Sequence, residues 1–441
     1  MRRYLSLTML ILTVGLVLLL AACSPKSGSV PSGIPDTGNG TPAVLVSPTP
    51  TLQAASAGSK VGFYTFVRQN QLWMALNSEN ATQVTHFDFS QAPEVFWQSP
   101  AWSPDHKHLS YLFNALPAGV GGGGCPEPDY TATSSLYVLD TSTQQLTSIT
   151  LPQVVTDARA EGKPRSDSWQ YAFWEDAQHL LAWYNGVTGK TSNDAGLYRY
   201  DVQTHRLSKV VSSEQLGATS PINAQQGQSM LLSLRYRQGQ LYYETVEQPG
   251  QQDSRLAIYR LSVNDAGAPR QQVVELGKEN WCAGGQSSAL TQPGWDVSPD
   301  GTKLVVQKIE NGTPGQEASS LDIVPVDGSA TQKVFSQAPT TFLAQNVLLR
   351  WSPQGNAVAA SERHHITDQG PYLVSLDHPQ DTQAYAPFVS GAVSWRSDGQ
   401  AFALQSSEVA EGMVPSDVYL FAPGEKNARL LEKDARVFSW G

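Results

Sequence analysis

Charge, cysteine and helix-forming patterns are all scarce in this sequence. Only 15% of the 441 residues are charged and three are cysteine, whereas 40% are hydrophobic. That apolar content is enough for a large core, so the chain as a whole is not disordered. The formal charge of -10 excludes a non-specific nucleic-acid binder, because such proteins need a basic surface. A single helical turn at Ser213–Leu216 is the only helix that we predict.

Motifs of catalysis and metal binding are also missing. The sequence has no Gly-x-Ser-x-Gly nucleophile elbow, His-Glu-x-x-His zinc site, Walker loop or EF-hand loop. His364 and His365 are adjacent, so on a strand they would point to opposite faces, and we interpret them as surface polar residues. We expect His106 and His108, which flank a turn, to be solvated. No metal and no cofactor are predicted.

The N-terminus has the features of an export signal. Arg2 and Arg3 precede an apolar run over Leu5–Leu20, and small residues lead to Cys23. The ending Leu-Ala-Ala-Cys resembles the bacterial lipobox. This resemblance implies a signal peptide at residues 1–22, cleavage before Cys23 and lipidation of its thiol. An uncleaved transmembrane helix is the alternative, since the run is close to the roughly 18–20 residues that span a bilayer.

The lipobox resemblance predicts a protein that is attached to the cell membrane outside the cytoplasm through its lipid. In a bacterium with two membranes, Ser24 permits sorting to the outer membrane. Residues 23–60 are rich in Pro, Ser, Gly and Thr and have few large apolar side chains. Such a segment cannot bury enough surface to offset its ordering entropy, so we predict a lipid-anchored, disordered linker. The folded domain is predicted at residues 61–441.

A turn of the Ser-Pro-Asp-Gly type recurs through the predicted domain. Pro presets φ, Asp bonds the backbone and Gly accepts positive φ, so we interpret Asp300 and Asp398 as structural. Each turn follows an anchor residue and precedes a strand-like run. The anchors are Trp102, Trp174, Val297, Trp351, Trp395 and, at the C-terminus, Trp440. Further short strands follow each turn, which gives four strands per repeat, the unit of a β-propeller blade.

This repeat resembles that of the TolB-type propellers, a WD40-like family with a Trp-Ser-Pro-Asp-Gly signature. The resemblance covers nearly all of residues 61–441 and implies an all-β propeller. Members resembling TolB act through protein contacts on the propeller face and at the channel mouth. A shared fold does not by itself select a function.

The anchor spacing predicts seven blades, with six or eight as alternatives. The gap between Trp174 and Val297 is too long for one blade. We place a degenerate blade there, with its turn at Gln226–Gln228 and its second strand at Met230–Arg235. The N-terminal part supplies three strands without an anchor strand, so the C-terminal strand Ala435–Trp440 is predicted to complete that blade. An open, multi-domain β-protein is the alternative.

Two cysteines remain after Cys23. In an oxidising compartment, Cys125 and Cys282 are candidates for a disulfide. Their loops join different strands but emerge on the same face of a propeller, where a bridge would cross the mouth of the channel. Two free thiols, or metal ligands, are the alternatives.

Three hypotheses of function follow. The leading one is a non-catalytic, lipid-anchored binding or scaffold protein of the cell envelope, which is monomeric and has a protein partner. The second is an enzyme of the glycosidase, lyase or lactonase type, whose catalytic groups converge on the channel from several blades. The third is capture of a glycan or small ligand by aromatic residues near the rim. The aromatic candidates, which are less tied to the repeat, are Trp169, Tyr171, Trp183 and Tyr184.

Overall fold

Short antiparallel strands, each followed by a turn, dominate the computed structural model of the chain. They form seven sheets that are the blades of a β-propeller. The structure describes residues 63–76, 81–90, 94–98, 100–116, 133–152, 168–186, 194–218, 229–248, 254–265, 267–278, 294–310, 318–337, 347–362, 371–385, 393–405, 417–425 and 427–441. The predicted all-β fold and the blade count of seven are confirmed.

The strands are numbered along the chain. Blades 1 to 4 contain β1 (Phe63–Arg68), β2 (Gln71–Leu76), β3 (Ala81–Gln83), β4 (Glu94–Trp97), β5 (Ala101–Trp102), β6 (His108–Leu116), β7 (Thr133–Asp140), β8 (Leu146–Ile149), β9 (Trp169–Trp174), β10 (His179–Tyr184), β11 (Gly196–Asp201), β12 (Arg206–Ser212), β13 (Met230–Arg237), β14 (Gln240–Glu247), β15 (Arg255–Ser262) and β16 (Gln271–Lys278). Blades 5 to 7 and the C-terminal strand contain β17 (Trp295–Val297), β18 (Lys303–Glu310), β19 (Ala318–Pro325), β20 (Gln332–Gln337), β21 (Val347–Trp351), β22 (Ala357–Glu362), β23 (Tyr372–Ser375), β24 (Gln383–Ala384), β25 (Val393–Trp395), β26 (Phe402–Gln405), β27 (Val418–Phe421), β28 (Arg429–Glu432) and β29 (Arg436–Trp440).

The first strand of each blade lies on the inside of the propeller. First strands of consecutive blades contact one another from β5 through β9, β13, β17, β21 and β25 to β29. In blade 2 this inner strand is split, because β4 and β5 pair separately with β6. Pro100 stands at the break, where it has no N–H to donate to the sheet.

The ring is closed by the C-terminal strand, as predicted. β29 pairs with β1, which gives blade 1 the order β29-β1-β2-β3. Tyr64 lies opposite Trp440, and the register shifts between Thr65 and Val67. Blades 7 and 1 are also joined by Glu432, which accepts a hydrogen bond from the Tyr64 hydroxyl and pairs with Arg68, each at 2.8 Å. β29 thus covers the edge of β1 that would otherwise be unpaired.

The prediction for the degenerate blade was wrong in its register. Met230–Arg237 is the first, inner strand of blade 4, because it pairs only with β14. The turn that follows is the two-residue hairpin Gln238-Gly239, in which φ is 51° and 75°. Such a hairpin needs positive φ at both positions and replaces the Ser-Pro-Asp-Gly turn. The proposed turn at Gln226–Gln228 lies outside the described residues.

The predicted helical turn is present as α1 (Ser213–Leu216). Ser212 caps it, because its hydroxyl accepts the Gln215 N–H while the Gln215 side chain accepts the Ser212 N–H. The turn ends at Gly217, where φ is 62°. In the part of the chain that the structure describes, no helix has the length and apolar character needed to cross a membrane.

The core lies between the blades. Tyr242 and Ile258 of blade 4, for example, pack against Leu304 and Val306 of blade 5 in one buried cluster. Similar clusters join the other blades, since each sheet packs against its neighbours through alternate side chains. Second strands such as β10 and β14 are therefore buried on both faces, whereas fourth strands such as β12 and β28 carry exposed residues. Burial of the second strands limits the number of charged residues that each blade can hold.

Candidate functional site

The repeated turns are held by a side-chain network of their own. In the turn after β17, the Ser298 hydroxyl donates to Asp300 at 2.6 Å, and the Thr302 N–H donates to the same carboxylate at 3.1 Å. These hydrogen bonds, with that of Ser298 as the strongest influence, hold the pKa of Asp300 below its usual 3.8. Asp398 binds Arg396 and the Gln400 N–H in the same way. Both carboxylates are thus committed to the turns in which they stand.

Three anchor tryptophans each donate a hydrogen bond to the blade that precedes their own. The indole N–H of Trp174 donates to Ala101 O at 2.8 Å, and that of Trp395 donates to Arg350 O at 3.1 Å. The indole N–H of Trp351 donates to Asp296 O at 3.3 Å. In every case the acceptor stands directly before the anchor of the preceding blade. Val297 has no indole, and the indole nitrogens of Trp102 and Trp440 have no hydrogen-bond partner among the described residues.

The residue directly before each anchor occupies what we name the pre-anchor position. The side chain at this position faces the next blade. In blade 5, for example, Asp296 lies opposite Val305 in the sheet, so both side chains are on the same face, and Val305 packs with Val358 of blade 6. In blade 4 the anchor position belongs to Tyr236, because its partner Leu241 packs with Leu181 of blade 3. The pre-anchor residues of blades 1 to 7 are Ser439, Ala101, Phe173, Arg235, Asp296, Arg350 and Ser394.

Three consecutive pre-anchor positions are charged and converge on one carboxylate. We name Arg235, Asp296 and Arg350 the Arg-Asp-Arg cluster. Asp296 Oδ1 lies 3.6 Å from Arg235 Nε and 3.7 Å from Arg350 Nη1. Both distances permit ion pairing but exceed a hydrogen bond. Asp296 Oδ2 accepts the Trp351 N–H at 3.0 Å, so the same carboxylate also joins blades 5 and 6.

The two guanidinium groups are held from behind by their own strands. Arg235 Nη1 donates to Leu234 O at 2.8 Å, and Arg350 Nη1 donates to Leu349 O at 3.1 Å. The Arg235 guanidinium also lies over the Trp295 ring, 5.3 Å from its centroid. Burial, and then the charge of Arg350, lowers the pKa of Arg235 to about 10, although Asp296 opposes this shift. Arg235 is still a cation at neutral pH.

The exposure of the cluster is uneven. Asp296 is only 1% exposed, whereas the side chains of Arg235 and Arg350 are 22% and 35% exposed. Arg235 Nε and Asp296 Oδ1 are buried atoms that find no hydrogen-bond partner among the described residues. The two cations exceed the single anion, so the accessible side of the cluster carries a positive charge. Chemically, this arrangement can hold an anion.

The cluster lies near one end of the propeller. The anchors directly precede the turns between first and second strands, and we name the end formed by these turns the turn end. Asp296 and Arg350 each stand one residue before an anchor, and Arg235 stands three residues before the hairpin at Gln238. Any molecule that reaches the cluster from this end first meets the turns themselves.

No metal site accompanies the cluster in the described residues. The described residues that bond or pair with Asp296 are Arg235, Arg350 and Trp351, so it has no carboxylate or imidazole partner there. Within the same ranges, no group of three or more His, Cys, Asp or Glu side chains could hold a metal ion.

Several residues singled out in the sequence lie outside the described ranges. These are Cys23, Cys125, Cys282, His364 and His365. Lipidation of Cys23 and a disulfide between Cys125 and Cys282 therefore stay predictions.

The expectation for the two turn histidines was wrong. His106 and His108 are partly buried rather than solvated. The ring of His108 stacks on Trp174 with their centroids 5.7 Å apart. Trp174 belongs to the next blade, so His108 fills space between blades 2 and 3 and is not a free surface residue.

The proposed rim aromatics were also misplaced. Trp169, Trp183 and Tyr184 are fully buried in the core of blade 3 and its neighbours. Tyr171 is partly buried, and its hydroxyl donates to Leu232 O of blade 4 at 2.6 Å. These side chains are therefore structural, and none of the three buried ones can stack on a ligand. Residues 180–184 of β10 are all buried, so the strand lacks the alternation of apolar and polar residues that would show which side chains face the core.

Sequence reasoning missed the Arg-Asp-Arg cluster. Part of the cluster could have been found in the sequence, since Asp296 directly precedes the anchor Val297 and Arg350 directly precedes the anchor Trp351. Comparing the residue before each anchor would have paired these two. Arg235 could not be added, because the register of blade 4 had been assigned wrongly.

Comparisons with known proteins show a similarity of fold only. No protein-family model matches this chain, and no curated protein matches it significantly. Among solved structures, an oligogalacturonate lyase in complex with manganese is 12% identical, with a TM-score of 0.49 over 84% of each chain. TolB from Acinetobacter baumannii is 13% identical, with a TM-score of 0.38 over 87% of this chain and 67% of TolB. A puromycin-hydrolysing peptidase of Mycobacterium tuberculosis is 13% identical, with a TM-score of 0.45 over 78% of this chain and 46% of the peptidase.

Proposed function

We propose that this protein is a lipid-anchored, non-catalytic β-propeller that binds a protein partner of the cell envelope at its turn end. The assignment to the TolB-type propellers is part of the proposal and rests on the repeated Trp-Ser-Pro-Asp-Gly signature. The known propellers to which the chain is similar include both enzymes and TolB, so they do not decide between catalysis and binding.

The Arg-Asp-Arg cluster is the observation that carries the binding function. Four of the seven pre-anchor positions have no charge, and Ser394 fills its position with a neutral hydroxyl that accepts the Trp440 N–H at 3.2 Å. Bonding between blades therefore does not require charge at this position. Burying charged groups costs free energy, since each loses its hydration. Three charges on adjacent blades favour recognition of a ligand over a purely structural role.

A catalytic role has less support from the described residues. The Asp296 carboxylate is already engaged by two guanidinium groups and by the Trp351 N–H. A general acid and base would call for a second titratable group within reach of the reacting atoms. Glycan binding at the rim also has less support, because three of its four candidate aromatic residues are buried in the core.

The lipid anchor rests on the sequence from Arg2 to Cys23 and on the linker at residues 23–60. The test is to express the full chain in a bacterium and measure the mass of the mature protein. We expect a chain that begins at acylated Cys23 and partitions into detergent. The variant Cys23→Ser should keep its signal segment and lack the acyl mass. A mature protein without lipid in the unaltered chain would refute the anchor.

The binding site is tested by photo-cross-linking in intact cells. A benzoylphenylalanine at Lys303, an exposed residue just after the blade 5 turn, would probe the turn end. The same group at Leu430, which is exposed on β28, is the matched control. We expect a discrete cross-linked band from position 303 and none from position 430. Equal cross-linking at both positions, or at neither, would contradict a partner at the turn end.

A further inference from the structure

We propose that the Arg-Asp-Arg cluster is a binding site for a single carboxylate group. The inference rests on the proposed function and specifies the chemistry that the turn end recognises. The two exposed guanidinium groups would bind the carboxylate, while Asp296 holds them in place. The carboxylate could belong to a free organic acid or to a peptide, and the experiment below separates these two sources.

The donors of the cluster fit a planar anion. Arg350 bonds only Leu349 O through Nη1, so its Nε and Nη2 have no hydrogen-bond partner among the described residues. Arg235 Nε, by contrast, is buried and faces Asp296, so a ligand would contact the remaining, outer part of the Arg235 guanidinium. A guanidinium group presents its donors as a fork that matches the two oxygens of a carboxylate. Binding would therefore satisfy donors that the described part of the fold leaves unused.

The position of Asp296 explains why the cluster is not already neutralised. Its Oδ1 lies 3.6 Å and 3.7 Å from the two arginines, so it pairs with both without a hydrogen bond to either. Asp296 is almost fully buried, whereas both arginines have accessible surface. The carboxylate of Asp296 thus lies behind the guanidinium groups, and their outer sides are available to a ligand.

Charge balance selects a monovalent anion. Two arginines and one aspartate sum to one positive charge, which one carboxylate neutralises. A phosphate dianion would bring a second negative charge close to Asp296. Like charges in such a partly buried setting repel more strongly than in water. We therefore expect the site to prefer a carboxylate over phosphate.

The test is calorimetric titration of the full chain, purified in detergent, at low ionic strength. The probes are acetyl-triglycine, its C-terminal amide, propionate and inorganic phosphate. We expect acetyl-triglycine to bind at least about tenfold more tightly than its amide, because only the acid offers the charged acceptor. Propionate binding without acetyl-triglycine binding would identify a free organic acid as the ligand. Equal affinity for acid and amide, or tighter binding of phosphate, would overturn the proposal.

Two variants should shift the affinity in opposite directions. Arg350→Gln removes half of the positive charge, and we expect at least about tenfold weaker carboxylate binding. Asp296→Asn keeps an oxygen for the Trp351 N–H but raises the net charge of the cluster, so carboxylate binding should become several-fold tighter. The control Arg255→Gln changes the total charge equally at an exposed residue of β15. A loss of binding in Asp296→Asn that matches Arg350→Gln would contradict the assigned roles.

The two proposals fail separately. If position 303 cross-links a partner but the acid and the amide bind alike, the partner is recognised by other chemistry and only this inference fails. If acetyl-triglycine binds as expected but no partner cross-links at position 303, the cluster is a carboxylate site and the proposed protein partner fails.

Discussion

At the scale of single residues, Asp296 makes two kinds of contact at once. One oxygen accepts the Trp351 N–H, and the other lies between two guanidinium groups. Removing one partner from a buried set of charges costs about 3–5 kcal/mol, because the charge that remains is no longer compensated. Asp296 should therefore be among the residues on which folding depends most.

We predict that Asp296→Ala lowers the free energy of unfolding by about 3 kcal/mol. The substitution leaves the Trp351 N–H without its acceptor and the two arginines without their counter-charge. Ser394→Ala is the matched control at the same position of blade 7, where a neutral hydrogen bond contributes about 1 kcal/mol. Urea denaturation of both variants measures the difference. Equal losses would show that the charge of Asp296 contributes nothing to stability.

Asp300 should make the protein sensitive to acid. Its pKa lies below 3.8 in the folded chain, chiefly through the Ser298 hydrogen bond. A carboxyl group whose pKa is lower in the folded chain than in the unfolded chain stabilises the fold at pH values above its unfolded pKa. This contribution is lost as the pH falls through its folded pKa. We predict that Asp300→Asn is less stable at pH 7 and loses less stability on acidification below about pH 4. Thermal unfolding at stepwise lower pH is the measurement.

A control separates the hydrogen bond from the charge. Ser298→Ala removes the donor and keeps the carboxylate, so it should flatten the acid dependence in the same direction as Asp300→Asn. An unchanged dependence in both variants would show that the turn carboxylate does not account for the acid sensitivity.

At the scale of strands and turns, most of the repeat could be predicted from the sequence. The anchors, the Ser-Pro-Asp-Gly turns and the closing strand could be predicted because Pro, Asp and Gly at fixed offsets have few alternative conformations. Blade 4 could not, because the hairpin Gln238-Gly239 gives a weaker signal and has no tryptophan anchor. This one shift in register hid Arg235, the third member of the Arg-Asp-Arg cluster.

The anchor tryptophans should differ in their contribution to stability. Trp351 and Trp440 are similarly buried, but only the indole N–H of Trp351 has an acceptor in the described structure. We predict that Trp351→Phe lowers the free energy of unfolding by about 1 kcal/mol more than Trp440→Phe does. Urea denaturation of the two variants provides the comparison. An equal or larger loss in Trp440→Phe would contradict the role of the indole bond between blades.

At the scale of the whole molecule, stability depends on closing the ring. Blade 1 takes its inner strand β29 from the other end of the chain, and Arg68 and Tyr64 reach Glu432 of blade 7. Closure covers the inner edge of β1, and unpaired sheet edges of this kind are where β-proteins associate.

Deleting residues 436–441 should therefore prevent stable folding and not merely fray one strand. The deletion would expose the inner edge of β1 and uncover the core that Phe438 and Trp440 help to form. We expect aggregation and loss of the cooperative thermal transition, measured by size-exclusion chromatography and circular dichroism. A deletion variant that stays monomeric with an unchanged transition would contradict closure by β29.

The central claim is that the turn end recognises a partner through the Arg-Asp-Arg cluster. Photo-cross-linking from position 303 in cells, compared between the unaltered chain and Arg350→Gln, tests it most directly. We predict one discrete cross-linked product that falls at least about tenfold in Arg350→Gln and is unchanged in Arg255→Gln. A cross-linked product of equal yield in all three chains would contradict the claim.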